Sequence, residues 1–342
     1  MGIWHILLLI AAYVAALSSV YAAIRIGRES GWGEGLRQLA IFLGFVVLYY
    51  LLESWAHHRL PYAFYPPVFP DMVPTFPWPA VPGFSAAPPS SCVVQPPPDA
   101  GISLSVPLLG AALTFSIMWT AQLLRAPVLL QPFLAGLVHL GIDAFFDPVL
   151  AWSFDCMSGD RIETGLGFWH WFVNEDQGPE WFGVPLFNFT TWFAAPVILV
   201  ALARLLDWVR AHRARRAEEK SGPETRPSPL EGLFLTIVLA AFLLLFLVAP
   251  SYPLPSERQG LFLLALVLIS LGAVVWFVPT YFHDNPLRWE FVLPQVMCLI
   301  FPLLAVILAG VVPAIPYLWV VALVTVPLVL WFSISPYTGQ GS

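Results

Sequence analysis

The sequence predicts an all-α fold, a polytopic transmembrane helical bundle of about nine spans with the N-terminus outside and the C-terminus inside. Three observations carry that expectation. The 342 residues are 58% hydrophobic, 15% aromatic and only 11% charged; the mean hydropathy is +0.77; and apolar runs long enough for helices of roughly 20 residues recur along the chain. A soluble globular chain rarely has such a composition.

Taken in order, the runs lie at about 3 to 24, 36 to 55, 105 to 124, 127 to 153, 189 to 208, 230 to 250, 260 to 280, 291 to 311 and 315 to 333. The first has no positive segment ahead of it and reads as an uncleaved anchor helix rather than a signal peptide. With the N-terminus outside, Arg25, Arg28, Arg37, Arg125, Arg204, the basic run after Arg210 and Arg288 all fall inside, and only Arg59, Arg161 and Arg258 fall outside. Cytoplasmic loops retain Lys and Arg, which sets the orientation and implies an inner (plasma) membrane protein. A net charge of -6 with no basic groove gives no support for nucleic-acid binding.

The runs divide into a five-span core over 1–208, a charged cytoplasmic linker over 209–229 and a four-span region over 230–342. Two long outer loops, 56–104 and 155–188, interrupt the core. The first carries 13 prolines between Pro61 and Pro98, interleaved with aromatics. Such sequence favours extended conformations and reads either as an irregular cover or as a lid that admits a lipid-like substrate. Cys92 and Cys156 fall one in each outer loop, a candidate disulfide in an oxidising compartment, against two free thiols; Cys298 lies inside a late span.

Chemistry concentrates between Gly136 and Trp192. His139, Asp143 and Asp147 recur every four residues in an otherwise apolar helix, which lines them along one stripe, Asp143 and Asp147 roughly 6 Å apart along the axis. Ionisable groups are costly in a bilayer, so they point to function. The topology brings Glu53, at the outer end of the second span, to the same level, with His57 and His58 beyond it at the interface. Desolvation and like charge favour a protonated carboxyl, the form a general acid needs. The bland readings are that Asp147, preceding Pro148, only caps a kink, that Asp143 and Glu53 bond between helices, and that His139 is a satisfied interhelical histidine. Trp152, Trp169, Trp171 and Trp192, with Trp55 and Trp181, suit either an aromatic belt or the wall of a pocket that stabilises a cation through ring faces. His139, Asp143, Asp147 and His170 are metal-ligand types, but the seven histidines form neither an HExxH nor histidine boxes, so no metal and no cofactor is expected.

At these residues the sequence resembles a family. Glu53 at a helix end, Val106-Pro107 opening the third span, Asp143 to Pro148 (DAFFDP), Trp169 and Trp171 as W-x-W, then Phe182 to Leu186 (FGVPL), Asn188-Phe189 and Trp192 are similar, in that order, to the integral-membrane carotenoid biosynthesis family, which includes carotenoid 1,2-hydratases and bisanhydrobacterioruberin hydratase. The resemblance covers roughly residues 36 to 208; Thr191 stands where the family has Gly. It implies cofactor-independent hydration of a terminal C=C bond of an acyclic carotenoid or related isoprenoid. Asp143 and Asp147 would be acid and water-positioning base in either order, Glu53 a third candidate, and Asn188 an orienting group. Trp152, Trp169, Trp171, Trp192 and His139 would contact substrate. The alternatives are a noncatalytic carotenoid-binding or structural subunit of a membrane pigment–protein complex and, less well supported, a small-solute transporter. The spans after residue 230 would serve as scaffold, membrane-protein partner surface or a greasy groove for carotenoid.

Overall fold

The computed structural model describes residues 3–59, 62–64, 71–76, 101–155, 158, 160–162, 166–173, 180–218, 230, 232, 233, 236, 287–308 and 318–334. Seven helices appear among them: α1 (Ile3–Ser30), α2 (Trp32–Arg59), α3 (Ser105–Leu123), α4 (Gln131–Leu150), α5 (Leu186–Glu218), α6 (Trp289–Leu308) and α7 (Leu318–Ile334). The first six are long and apolar enough to cross a membrane, and α7 is apolar but shorter. The polytopic α-helical fold is therefore that of a membrane protein. The expected spans at 260–280 and most of 230–250 lie outside the described residues, as do Cys92 and Cys156.

Helix ends follow local chemistry. α1 runs past the expected boundary to Ser30, and Gly31 alone separates it from α2 at a φ of 99°, a left-handed conformation that glycine adopts without a Cβ penalty. Gly27 and Gly35 then let the two helices touch, since a Cβ on Gly35 would stand 2.6 Å from the Gly27 Cα. α5 continues beyond the apolar stretch to Glu218, into what the sequence reads as linker, because Ala, Arg and Glu are strong helix formers.

Helix–helix contact in this bundle depends on small residues. A Cβ on Gly136 of α4 would lie 2.7 Å from Val197 Cγ2 and 2.9 Å from the Phe193 carbonyl oxygen of α5; glycine there allows the close approach that dispersion and interhelical hydrogen bonds require in lipid. Charged groups join helix ends at one end of the bundle. Arg25 and Arg288 bond Glu290 and Glu29, tying α1 to α6, while Arg37 and Arg210 bond Glu34, and Arg37 also bonds Asp207, tying α2 to α5.

The C-terminal helices belong to the same packed core. Gln295 of α6, fully buried, donates to Ser116 Oγ at 2.8 Å and Thr120 Oγ1 at 2.9 Å on α3 and accepts from Ser333 Oγ of α7 at 2.7 Å. An interhelical bond in lipid contributes modestly, and here the three hydroxyls have other acceptors: Thr120 and Ser333 each reach a carbonyl one turn back on their own helix, and Ser116 reaches the Phe291 carbonyl of α6. Gln295→Leu is accordingly expected to cost about 1 kcal/mol, read as a fall in melting temperature in detergent; no fall would mean that the network contributes nothing to holding α6 against α3 and α7.

The segments between the spans are not wholly irregular. β1 (Tyr62–Phe64), β4 (Ala151–Asp155), β5 (Arg161–Ile162) and β6 (Trp169–Val173) form a sheet in the order β1-β6-β4-β5. β2 (Met72–Val73) pairs with β3 (Ile102–Ser103), and β7 (Glu180–Trp181) with β8 (Val184–Pro185). This β cap departs from a purely α expectation. Backbone groups of chain that folds back onto a bundle still need partners once water is excluded, and short strands supply them.

Candidate active site

The site is built on α4. Asp143 and Asp147, one turn apart, are 6% and 2% exposed. Pro148 neither caps nor ends the helix, which runs on to Leu150. Proline has no N–H for the carbonyl four residues back, and that carbonyl, on Ala144, instead accepts from Trp181 Nε1 at 3.1 Å. The proline thus opens a backbone acceptor that pins the β7–β8 hairpin to α4.

That hairpin explains the FGVPL element. Trp181 pairs with Val184 across a two-residue loop in which Phe182 and Gly183 have φ of 51° and 80°, the left-handed pair of a type I′ turn, whose twist suits a tight hairpin. Ser153 of β4 bonds the Gly183 carbonyl. α5 begins directly after β8, so Asn188 lies in its first turn, buried against α4. Its Nδ2 donates to Asp147 Oδ2 at 2.6 Å and to Asp143 Oδ2 at 3.3 Å, bridging the two carboxyls.

The W-x-W element is placed by β4. This strand leaves α4 without a break and runs parallel to β6, with Ala151 opposite Trp169 and Ser153 opposite Trp171. Alternation along a strand sends Trp169 and Trp171 to one face and His170 to the other. Trp169 Nε1 donates to Asp147 Oδ1 at 2.5 Å, and the Trp171 indole lies beside the same carboxyl. Both tryptophans are buried, so neither serves as an interfacial belt; Trp181, 39% exposed, remains compatible with one. His170 packs at 5.5 Å from Trp152, whose ring also covers Gly167.

A partly open cavity meets these groups. Glu53, Asp143, Asp147 and Asn188 form its polar side, with Trp169, Trp171, Trp192, His139 and Thr191 also on its wall; Trp152 is not among its lining residues. Glu53, buried toward the C-terminal end of α2, is near enough to Asp143 for their charges to interact. The remaining lining is largely aliphatic, and such a pocket with a few convergent polar groups suits a small apolar ligand or one end of a long one.

Sequence reading passed over the residues that support this wall. Tyr49, one turn before Glu53 on α2, is buried; its hydroxyl meets Thr114 Oγ1 at 2.8 Å and His139 Nδ1 at 3.2 Å, and its ring stacks on Trp192 at 5.7 Å. His139 sits edge-on to Trp192 at 5.3 Å. Gly110 makes room, since a Cβ there would stand 3.1 Å from the Tyr49 ring. The signal available was the four-residue spacing Tyr49–Glu53, which parallels His139–Asp143 on the facing helix.

Residues 101–254 match the family described as carotenoid biosynthesis protein. No curated protein matches the chain significantly. No solved structure does so either. The matched stretch contains Asp143, Asp147, Trp169, Trp171, Asn188 and Trp192, whereas Glu53 and α6 fall outside it.

Proposed function

From the match of residues 101–254 to the carotenoid biosynthesis protein family, we propose that the chain is a membrane enzyme adding water across a terminal C=C bond of an acyclic carotenoid. The observation that carries this reading is the Asn188 bridge between two buried carboxyls on the wall of an otherwise apolar cavity. Without a hydrocarbon to protonate, such a pair in such a place is an expensive arrangement.

Hydrogen bonding divides the roles that sequence left interchangeable. Both Asp147 oxygens accept short N–H bonds, from Trp169 and from Asn188. Donors of this kind favour the ionised carboxylate over the protonated form. Among the described residues, Asp143 receives only the 3.3 Å contact from Asn188, and it lies beside Glu53. Asp143 is therefore the acid. It gives its proton to the less substituted alkene carbon; the π electrons form the new C–H bond and leave a tertiary cation on the neighbouring carbon. Faces of the cavity tryptophans stabilise that cation. Water attacks it while Asp147 accepts the proton that the water loses, and return of that proton to Asp143 resets the pair. Asn188 holds the two carboxyls in register, and Glu53 keeps negative charge near the developing cation.

In this reading the chain lies in the inner membrane with its N-terminus outside, which puts the β cap and the site at the outer face and the ion-paired helix ends at the inner face. The test is expression with lycopene or another acyclic carotenoid, followed by mass analysis. A product heavier by one water is expected. Unchanged carotenoid that copurifies with the protein would instead favour a binding subunit of a pigment assembly.

A further inference from the structure

α6 lies beyond the family-matched stretch, yet Cys298 at its middle lines the cavity, as does Leu8 of α1. Both are 2% exposed. What surrounds Cys298 on its own helix makes this wall rigid. One turn before it, Gln295 is bonded to Ser116 and Thr120 of α3 and to Ser333 of α7. One turn after it, Phe301 is clamped among aromatics of three other parts of the fold: Trp4 of α1 at 6.3 Å, Phe146 of α4 at 6.5 Å and Phe168 beside β6 at 6.1 Å. A helix packed on both sides of a small residue resists moving away when that residue grows, because close-packed interiors respond to added volume by strain or by filling the nearest void. The nearest void here is the cavity.

We propose that α6 is the end-group wall of this cavity, with Cys298 and Leu8 setting the bulk of the isoprenoid terminus admitted to Asp143. The inference rests on the hydration reading for the identity of the ligand, but not for the shape of the wall. Its chemistry also suits a hydrocarbon end: Leu8, Leu109, Leu113, Ile142, Phe146 and Cys298 give this part of the wall an apolar surface that an acyclic terminus can pack against.

The test uses the full chain in membranes and an acyclic isoprenoid hydrocarbon carrying a diazirine at its terminus, photolysed and mapped by mass spectrometry. Label is expected at Cys298 and Leu8, with competition by lycopene. Cys298→Phe should reduce both label and bound lycopene at least tenfold, and Cys298→Ala should retain them. Label confined to lipid-facing positions such as Leu323 of α7, or undiminished binding in a folded Cys298→Phe variant, overturns the proposal. Should that variant fail to fold, the wild-type labelling pattern decides alone. Label at Cys298 without any hydrated product would defeat the hydration reading and leave the wall standing; product without such label would do the reverse.

Discussion

Asp143→Asn is expected to reduce hydrated product at least roughly 100-fold, the lower range of what a positioned proton donor contributes, while the protein remains folded. The contact at stake in the fold is weak, a 3.3 Å approach from Asn188, and an amide of the same size keeps an acceptor oxygen there. Asp147→Asn should be as damaging to activity but costs more in structure. Its two oxygens accept from Trp169 and Asn188, and an amide presents only one acceptor, so its NH₂ must face either an indole N–H or another NH₂. The paired exchange Asp147→Asn with Asn188→Asp separates the effects. In that double variant the amide now on α4 can accept from Trp169 and donate to the carboxylate now on α5, which restores the bonds but moves the base to the other helix. Melting temperature should recover in the double variant and product should not. Recovery of product along with stability would show that the pair needs only one carboxylate somewhere in the bridge, and would refute the assignment of Asp147 as the base.

The largest structural effect is expected at Gly136. Ala is a better helix former than Gly by about 1 kcal/mol, so substitution inside α4 would stabilise an isolated helix. The methyl group, however, would stand 2.7 Å from Val197 and 2.9 Å from the Phe193 carbonyl, and a backbone oxygen cannot step aside as a side chain end can. Overpacking costs about 1–3 kcal/mol, enough to reverse the gain. Gly136→Val should be worse, separating α4 from α5 and with them Asp147 from Asn188. Gly44 of α2 provides the contrast, since nothing lies within 4 Å of a Cβ there; Gly44→Ala should be neutral or raise the melting temperature. Equal effects at the two positions would count against close α4–α5 packing as what aligns the bridge.

Much of this protein was legible in one dimension, for identifiable reasons. Apolar runs report membrane spans because lipid leaves a backbone no partner but itself, and the described helices fall on seven of the nine expected runs. The stripe of His139, Asp143 and Asp147 was visible because 3.6 residues per turn brings every fourth side chain to one face. The ordered W-x-W and FGVPL elements could be recognised as a resemblance, and residues 101–254 support a carotenoid biosynthesis membrane family. Helix ends were less legible: propensity extends α5 to Glu218 beyond its apolar stretch, and Pro148 sits within α4 because a tryptophan from a distant hairpin takes over as donor to the Ala144 carbonyl.

What the chain by itself determined, then, is that it crosses a membrane repeatedly and carries an acidic stripe within one span. Only the tertiary structure decided the rest. Two aspartates one turn apart are equivalent in sequence; donors arriving from β6 and α5 make them unequal, because hydrogen-bond geometry depends on where other segments lie. The same holds for Cys298, unremarkable within an apolar helix until helices distant in sequence close a cavity around it. Hydropathy and periodicity are local properties of the chain, whereas the proton inventory and shape of a site depend on contacts that no local pattern encodes.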